Sequence, residues 1–129
     1  MIAVHELRIG NKVMDGDIIR IVTGIVQTAT AEHIYLDGDN LFKPLLQIRP
    51  VPLSKDLIKS CWFEESADGF WYEQVSPTLY PIYLMVINDN WDFSLSDPRE
   101  VAYWKRIYWL HELQNLYYSL NSEELEMEV

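Results

Sequence analysis

The chain has 129 residues, nearly half of them apolar, a formal net charge of −10 and one cysteine. That length buries a core without staples, and the low glycine and proline content argues against disorder. The single thiol, Cys61, excludes an internal disulfide and a cysteine-built zinc site, and its amphipathic context favours burial over reactivity.

In chain order, the first residues show no basic stretch followed by an apolar core, so no signal peptide is expected. No apolar run has the length of a membrane span, which makes a cytoplasmic protein the default expectation. "GNKVMDGD" (10–17) predicts a strand ending in a Gly-Asp turn. "IIRIVTGIVQ" (18–27) supplies β-branched residues, with Gly24 as a bulge or bend. "EHIYLDGDNLFKPLLQI" (32–48) reads as a hairpin around Asp37-Gly38-Asp39-Asn40. The two aspartates lack the further oxygen ligands and closing glutamate of a calcium loop, so turn chemistry is the better account. Several short strands in about fifty residues predict a small bent β-sheet or SH3-like barrel over residues 1–50.

Pro50-Val51-Pro52 removes two backbone donors and stops the preceding strand. Ser54 then reads as an N-cap for a short helix over 54–61, with Leu53, Leu57 and Ile58 on its buried face. "WFEES" and "FWYEQV" flank Ala67-Asp68-Gly69 as a hairpin, "YPIYLMVIND" is a third strand, and Asn88-Asp89-Asn90 turns into "WDFSL". Trp91, Phe93 and Leu95 share one face of that strand by period two. Ser96-Asp97-Pro98 is a further turn, and "EVAYWKRI" reads as a strand in preference to the first turns of a helix. Leu110, Leu113, Leu116 with Tyr117, and Leu120 predict an amphipathic helix over 108–120, with Leu113 and Leu116 nearly fully buried. Asn121 is expected to end it in a left-handed conformation. The fold class is therefore α+β: a β subdomain over 1–50, then an acidic, aromatic-rich α+β subdomain over 51–129 with an antiparallel sheet and a C-terminal helix packed on it.

Charge divides with the same boundary. Residues 1–60 hold seven acids and seven bases, whereas residues 61–129 hold thirteen acids and three bases, and fifteen of the seventeen aromatics. A surface so acidic repels phosphates, so direct nucleic-acid binding is not expected. The excess has two readings, a solvated face that serves solubility and a docking surface for a basic partner.

Three patches give the chain a resemblance: Glu6-Leu7-Arg8-Ile9-Gly10-Asn11, Pro50-Val51-Pro52-Leu53-Ser54, and His111-Glu112-Leu113-Gln114-Asn115-Leu116-Tyr117 with Leu120 and Glu123-Glu124-Leu125. Together they resemble a family of small uncharacterised proteins carried by phages, prophages and mobile elements of Bacteroides-type bacteria. The resemblance implies a cytoplasmic, phage-associated origin and a fold with strands first and the helix last; it implies no activity. The chain departs from the family pattern at two helix ends. Trp62-Phe63 stands where the family has glycine then phenylalanine, and Asn121-Ser122 stands where it has Thr-Gly.

No spaced histidine pair, phosphate loop or nucleophile elbow is present, and His5, His33 and His111 lie on three different elements. No catalytic residue, cofactor or metal ligand is assigned, and no enzymatic activity is expected. The leading expectation is a non-enzymatic binding or adaptor protein that acts through protein–protein contacts or self-association, using exposed aromatics such as Trp71, Trp91 or Trp104. His111 and Asn115, four apart on the helix, either satisfy backbone groups of the sheet beneath them or form a small recognition patch. An acidic nucleic-acid mimic that occupies a host DNA-binding protein is the alternative.

Overall fold

Gly16 and Asp17 are the first residues that must reverse the chain, and two residues suffice. In the computed structural model, which describes residues 2–39, 41–74, 82–94 and 104–128, β1 (Lys12–Asp15) and β2 (Ile18–Gln27) pair antiparallel, with Asp15 opposite Ile18. Gly16 takes φ 62°, the positive value that primed hairpin turns place at their first turn residue.

β2 is long because it serves two neighbours. Its first residues pair with β1, and from Val22 onward it pairs with β3 (Glu32–Leu36), with a register shift between Val22 and Gly24. A Cβ at position 24 would stand 3.1 Å from Cδ2 of Tyr35, so a side chain there would force the Tyr35 ring aside. After the Asp37-Gly38 turn comes β4 (Lys43–Pro44). A 3₁₀ turn over Leu45–Gln47 then leads into β5 (Ile48–Arg49), which returns antiparallel along β1. The strand order is β4-β3-β2-β1-β5. Val13, Val22, Ile34, Leu36, Leu45 and Ile48 form the core of this sheet, joined by Ile2 and Leu7 from the N-terminal segment. Asp37 and Asp39 meet local needs: Asp37 Oδ1 accepts from the Ile21 amide at 2.8 Å, and Asp39 lies 2.9 Å from the Arg20 guanidinium. Lys43, hydrogen-bonded to Asp15, holds that carboxyl below its ordinary range, and Arg20 adds to the effect.

The second sheet starts from a capped helix. The Ser54 hydroxyl accepts from the Leu57 amide at 3.2 Å at the head of α1 (Lys55–Ser60), which buries Leu57 and Ile58. Cys61 is fully buried, as expected. β6 (Phe63–Glu65) and β7 (Trp71–Gln74) form the predicted hairpin. β8 (Tyr83–Ile87) and β9 (Asn90–Ser94) are joined by Asn88 and Asp89 at φ 52° and 63°, both residues that tolerate the left-handed region. β10 (Lys105–Ile107) completes the order β10-β9-β8-β7-β6, so the strand reading holds for 105–107. Leu95, the Ser96-Asp97-Pro98 turn and residues 100–103 lie outside the described residues.

α2 (Leu110–Asn121) is the C-terminal helix. The chain is thus α+β, with two antiparallel five-stranded sheets. It divides into two compact units, Met1–Pro52 with Trp109–Asn115, and Leu53–Tyr108 with Leu116–Val129. Residues 109–115 therefore join the N-terminal sheet, an assignment that chain order does not display.

The phase of α2 corrects one expectation. Leu110, His111, Leu113, Gln114 and Tyr117 are the buried residues, while Leu116 is only half-buried. The apolar spacing alone turned the predicted face too far, because two polar side chains, His111 and Gln114, share the buried stripe. Leu113→Ala is expected to cost about 2 to 5 kcal/mol by cavity formation, and Leu116→Ala distinctly less, as measured by urea unfolding.

The helix ends correct another. Ser122, not Asn121, takes the left-handed conformation, at φ 57°, and Trp62 does the same after α1, at φ 67°. Without glycine each left-handed cap is strained by about 1 kcal/mol. Ser122→Gly, on an exposed side chain, is expected to raise stability by about 0.5 kcal/mol; a loss of stability in denaturant unfolding contradicts this account of the cap.

Candidate functional site

Arg8 to Asn11 make a tight turn in which the Asn11 amide donates to the Arg8 carbonyl at 3.0 Å, with Gly10 at φ 101°. The turn points the Asn11 carbonyl at β2, where it accepts from the Val22 amide at 2.8 Å. The Gly10 carbonyl and the Lys12 amide therefore face the other way, off the edge of the sheet. Gln114 meets both: its Oε1 accepts from the Lys12 amide at 2.8 Å and its Nε2 donates to the Gly10 carbonyl at 3.3 Å. At the next residue, Asn115 Nδ2 donates to the Glu6 carbonyl at 2.9 Å. Its Oδ1 accepts from Asn11 Nδ2 at 2.8 Å and from Arg8 Nε at 3.2 Å.

The helix is aimed at this edge by its own start. The Leu110 amide donates to the Val51 carbonyl at 2.8 Å, and Pro52 and Trp109 form an isolated antiparallel bridge. Glu112 reaches back to accept from the Trp109 amide at 3.1 Å, the glutamate half of a capping box. His111 is 1% exposed; its Nε2 lies 3.4 Å from Glu6 Oε2, and its Nδ1 has no hydrogen-bond partner among the described residues. Burial holds the His111 imidazole below its ordinary pKa, although the Glu6 carboxylate pulls the other way. Of the two residues, Asn115 meets one backbone group, the Glu6 carbonyl, whereas His111 faces the Glu6 carboxylate.

The tryptophans separate into different roles. Trp91 is a correction: it is buried at 4% exposure, with its ring centroid 5.5 Å from that of Tyr72, and belongs to the core of the second sheet. Trp104 is half-buried. Trp71 is half-buried on the outward face of β7, with its ring centroid 6.3 Å from that of Tyr83. Tyr72 hydrogen-bonds Glu65 at 2.9 Å, and burial pushes its phenol up to about 12. Thirteen large hydrophobic side chains are exposed among the described residues, and eight of them lie between Ile9 and Leu46. The expected contact surface was aromatic and in the second half; the exposed apolar surface falls mainly on the first unit.

That unit also holds a pocket of about 820 Å³. Its lining includes Ile2, Val4 and Leu45 from the N-terminal segment and the 3₁₀ turn, and the β2–β3 loop with Ala29 and Ala31. His5, Gln27, Thr28, Thr30, Glu32 and His33 are its polar lining, and the His33 ring packs edge-on against Phe42 at 4.5 Å. Sequence reading placed the two histidines on separate elements without a link. Only the fold, which brings the chain start beside the β2–β3 loop, puts them on one pocket. Among the described residues no three His, Cys, Asp or Glu side chains converge in a metal-binding group. No protein-family model matches the chain, and no curated protein or solved structure matches it.

His111 yields a pH dependence with a definite sign. Its pKa in the folded chain lies below the ordinary 6.5, so the unfolded chain binds the proton more readily. The contribution is whole above about pH 6.5 and is lost as pH falls from there towards the lowered folded value. Unfolding between pH 7 and 5.5 is expected to show the unaltered chain losing stability, by at most about 1.4 kcal/mol per pH unit, and His111→Gln losing less. Equal slopes in the two proteins contradict the buried neutral imidazole.

Proposed function

We propose that the chain is a non-enzymatic binding protein, an adaptor of a phage or other mobile element that works in the cytoplasm through protein–protein contacts. The observation that carries this reading is the pocket of the first unit, with its mixed lining and exposed hydrophobic neighbours. Leu46, in its lining, is 77% exposed, and Leu41 and Phe42, the latter packed on His33, are 78% and 48% exposed. Apolar side chains held in water beside a concave, mixed lining favour a partner that covers them. The strand order β4-β3-β2-β1-β5, with its register shift between Val22 and Gly24, supports an SH3-like reading of this unit. Among the described residues no helix is long and apolar enough to cross a membrane.

An acidic nucleic-acid mimic gains less support. Asp15 and Asp39 are held by Arg20 and Lys43, Asp92 by Arg106, and Glu65 by Lys59 and Tyr72, so these carboxylates do not stand in an open phosphate-like row.

Ala29→Arg with Leu46→Asp fills and charges the pocket without altering a core residue. In affinity capture from bacterial extract, a protein retained by the unaltered chain is expected to be lost on this variant, with the unfolding midpoint unchanged. Equal retention by both proteins contradicts the assignment of the pocket.

A further inference from the structure

The second sheet has an inner face and an outer face, fixed by alternation. Tyr72, Gln74, Leu84, Val86, Trp91 and Phe93 are buried, whereas Trp71, Glu73, Met85 and Asp92 point outward; Ser94, in phase with Asp92 at the end of β9, is buried as well. On the outer face Arg106 stands opposite Asp92 in register, and the two form an ion pair at 2.7 Å. At the other end of the same face the register places Glu64 opposite Glu73. Both side chains are exposed, and neither has a hydrogen-bond or ion-pair partner among the described residues. Lys59, on the neighbouring helix, is drawn to Glu65 instead, at 3.2 Å.

Directly opposed residues of an antiparallel pair bring their Cβ atoms to about 5 Å, where like charges are destabilising. The sheet therefore carries one matched and one mismatched charge pair on one face. Trp71, two residues before Glu73 on the same strand and the same face, adds a half-exposed indole beside the mismatched pair. Two carboxylates and an aromatic ring at this spacing suit a guanidinium, which donates paired hydrogen bonds to carboxylates and stacks on an aromatic face. Local rules are broken chiefly where function requires it.

We infer that the outer face of β6 and β7 binds an arginine-bearing segment of a basic protein partner, with one guanidinium between Glu64 and Glu73 against Trp71. The partner's cation does at this end what Arg106 does at the other. This surface lies on a different unit from the pocket of the first unit, so the two assignments stand or fall separately.

The test is fluorescence anisotropy of a fluorescein-labelled peptide of alternating arginine and glycine, about ten residues long, added to the full chain in about 0.15 M salt. Glu64→Gln with Glu73→Gln is expected to weaken binding about tenfold and to leave the unfolding midpoint equal or higher, since a repulsion is removed. Replacing Glu123, Glu124, Glu126 and Glu128 by glutamine removes twice as many charges and is expected to change binding by less than about twofold. If the tail variant weakens binding as much as the strand variant, affinity follows net charge and the inference is overturned. Absence of binding by the unaltered chain overturns it as well. Neither result touches the pocket, whose variant, Ala29→Arg with Leu46→Asp, is expected to bind this peptide normally.

Discussion

A strand edge presents peptide groups that need partners, and in the first unit residues 10–12 find theirs in one side chain. The Gln114 carboxamide offers an acceptor and a donor at the spacing of a peptide group, so it pairs with Lys12 and Gly10 as a neighbouring strand would. β5 takes over the same edge at Met14 and Asp15. Between them the helix and a two-residue strand cover the side of β1 that β2 does not. Much else follows from this docking. The helix must turn Gln114 inward, which brings His111 and Leu113 with it and leaves Leu116 half-buried. Trp109–Asn115 must fold with the N-terminal sheet although nearly sixty residues separate them from Pro52. A buried carboxamide with both halves satisfied stabilises only modestly in net terms, but leaving its partners unpaired would cost about 1 to 3 kcal/mol for each.

The two units offer unlike chemistry. The first, only mildly acidic, exposes aliphatic side chains around a concave surface; the second, strongly acidic, sets carboxylates beside an aromatic ring on a sheet face. Those are different recognition problems, one met by burying apolar area and the other by pairing charge at a rim, where the contribution falls with salt. An adaptor that holds two partners has a use for both.

Much of the architecture was legible because it is written in local chemistry. Gly16, Gly38 and Asn88-Asp89 mark turns by the backbone conformations they tolerate, Ser54 caps α1 through its own hydroxyl, and period two puts Trp91 and Phe93 on one face of β9. What could not be read is what depends on distant partners. Polar residues on a helix look like a solvated face until the strand edge that binds them is known, so Gln114 shifted the predicted phase. Trp91 was expected at an interface because aromatic abundance says nothing of which rings the core absorbs. The pocket joins the N-terminal segment to a loop more than twenty residues on, with no local signature. Two stretches far apart in the chain meet here: Glu6, Arg8, Gly10 and Asn11 on one side, and His111, Gln114 and Asn115 on the other, are the two halves of the docking contact.

Amide hydrogen exchange at Lys12 tests the docking of Gln114 most directly. Lys12 lies at the start of β1 with its N–H turned away from β2 and donated to Gln114 Oε1. In the full chain the Lys12 amide should be protected to nearly the degree of the Val22 amide, which is bonded within the sheet. In Gln114→Leu, which keeps the volume and removes the acceptor, Lys12 should lose most of that protection while Val22 retains its own. Rapid exchange at Lys12 in the unaltered chain, or protection there that survives Gln114→Leu, would show that the edge is held by something other than this side chain.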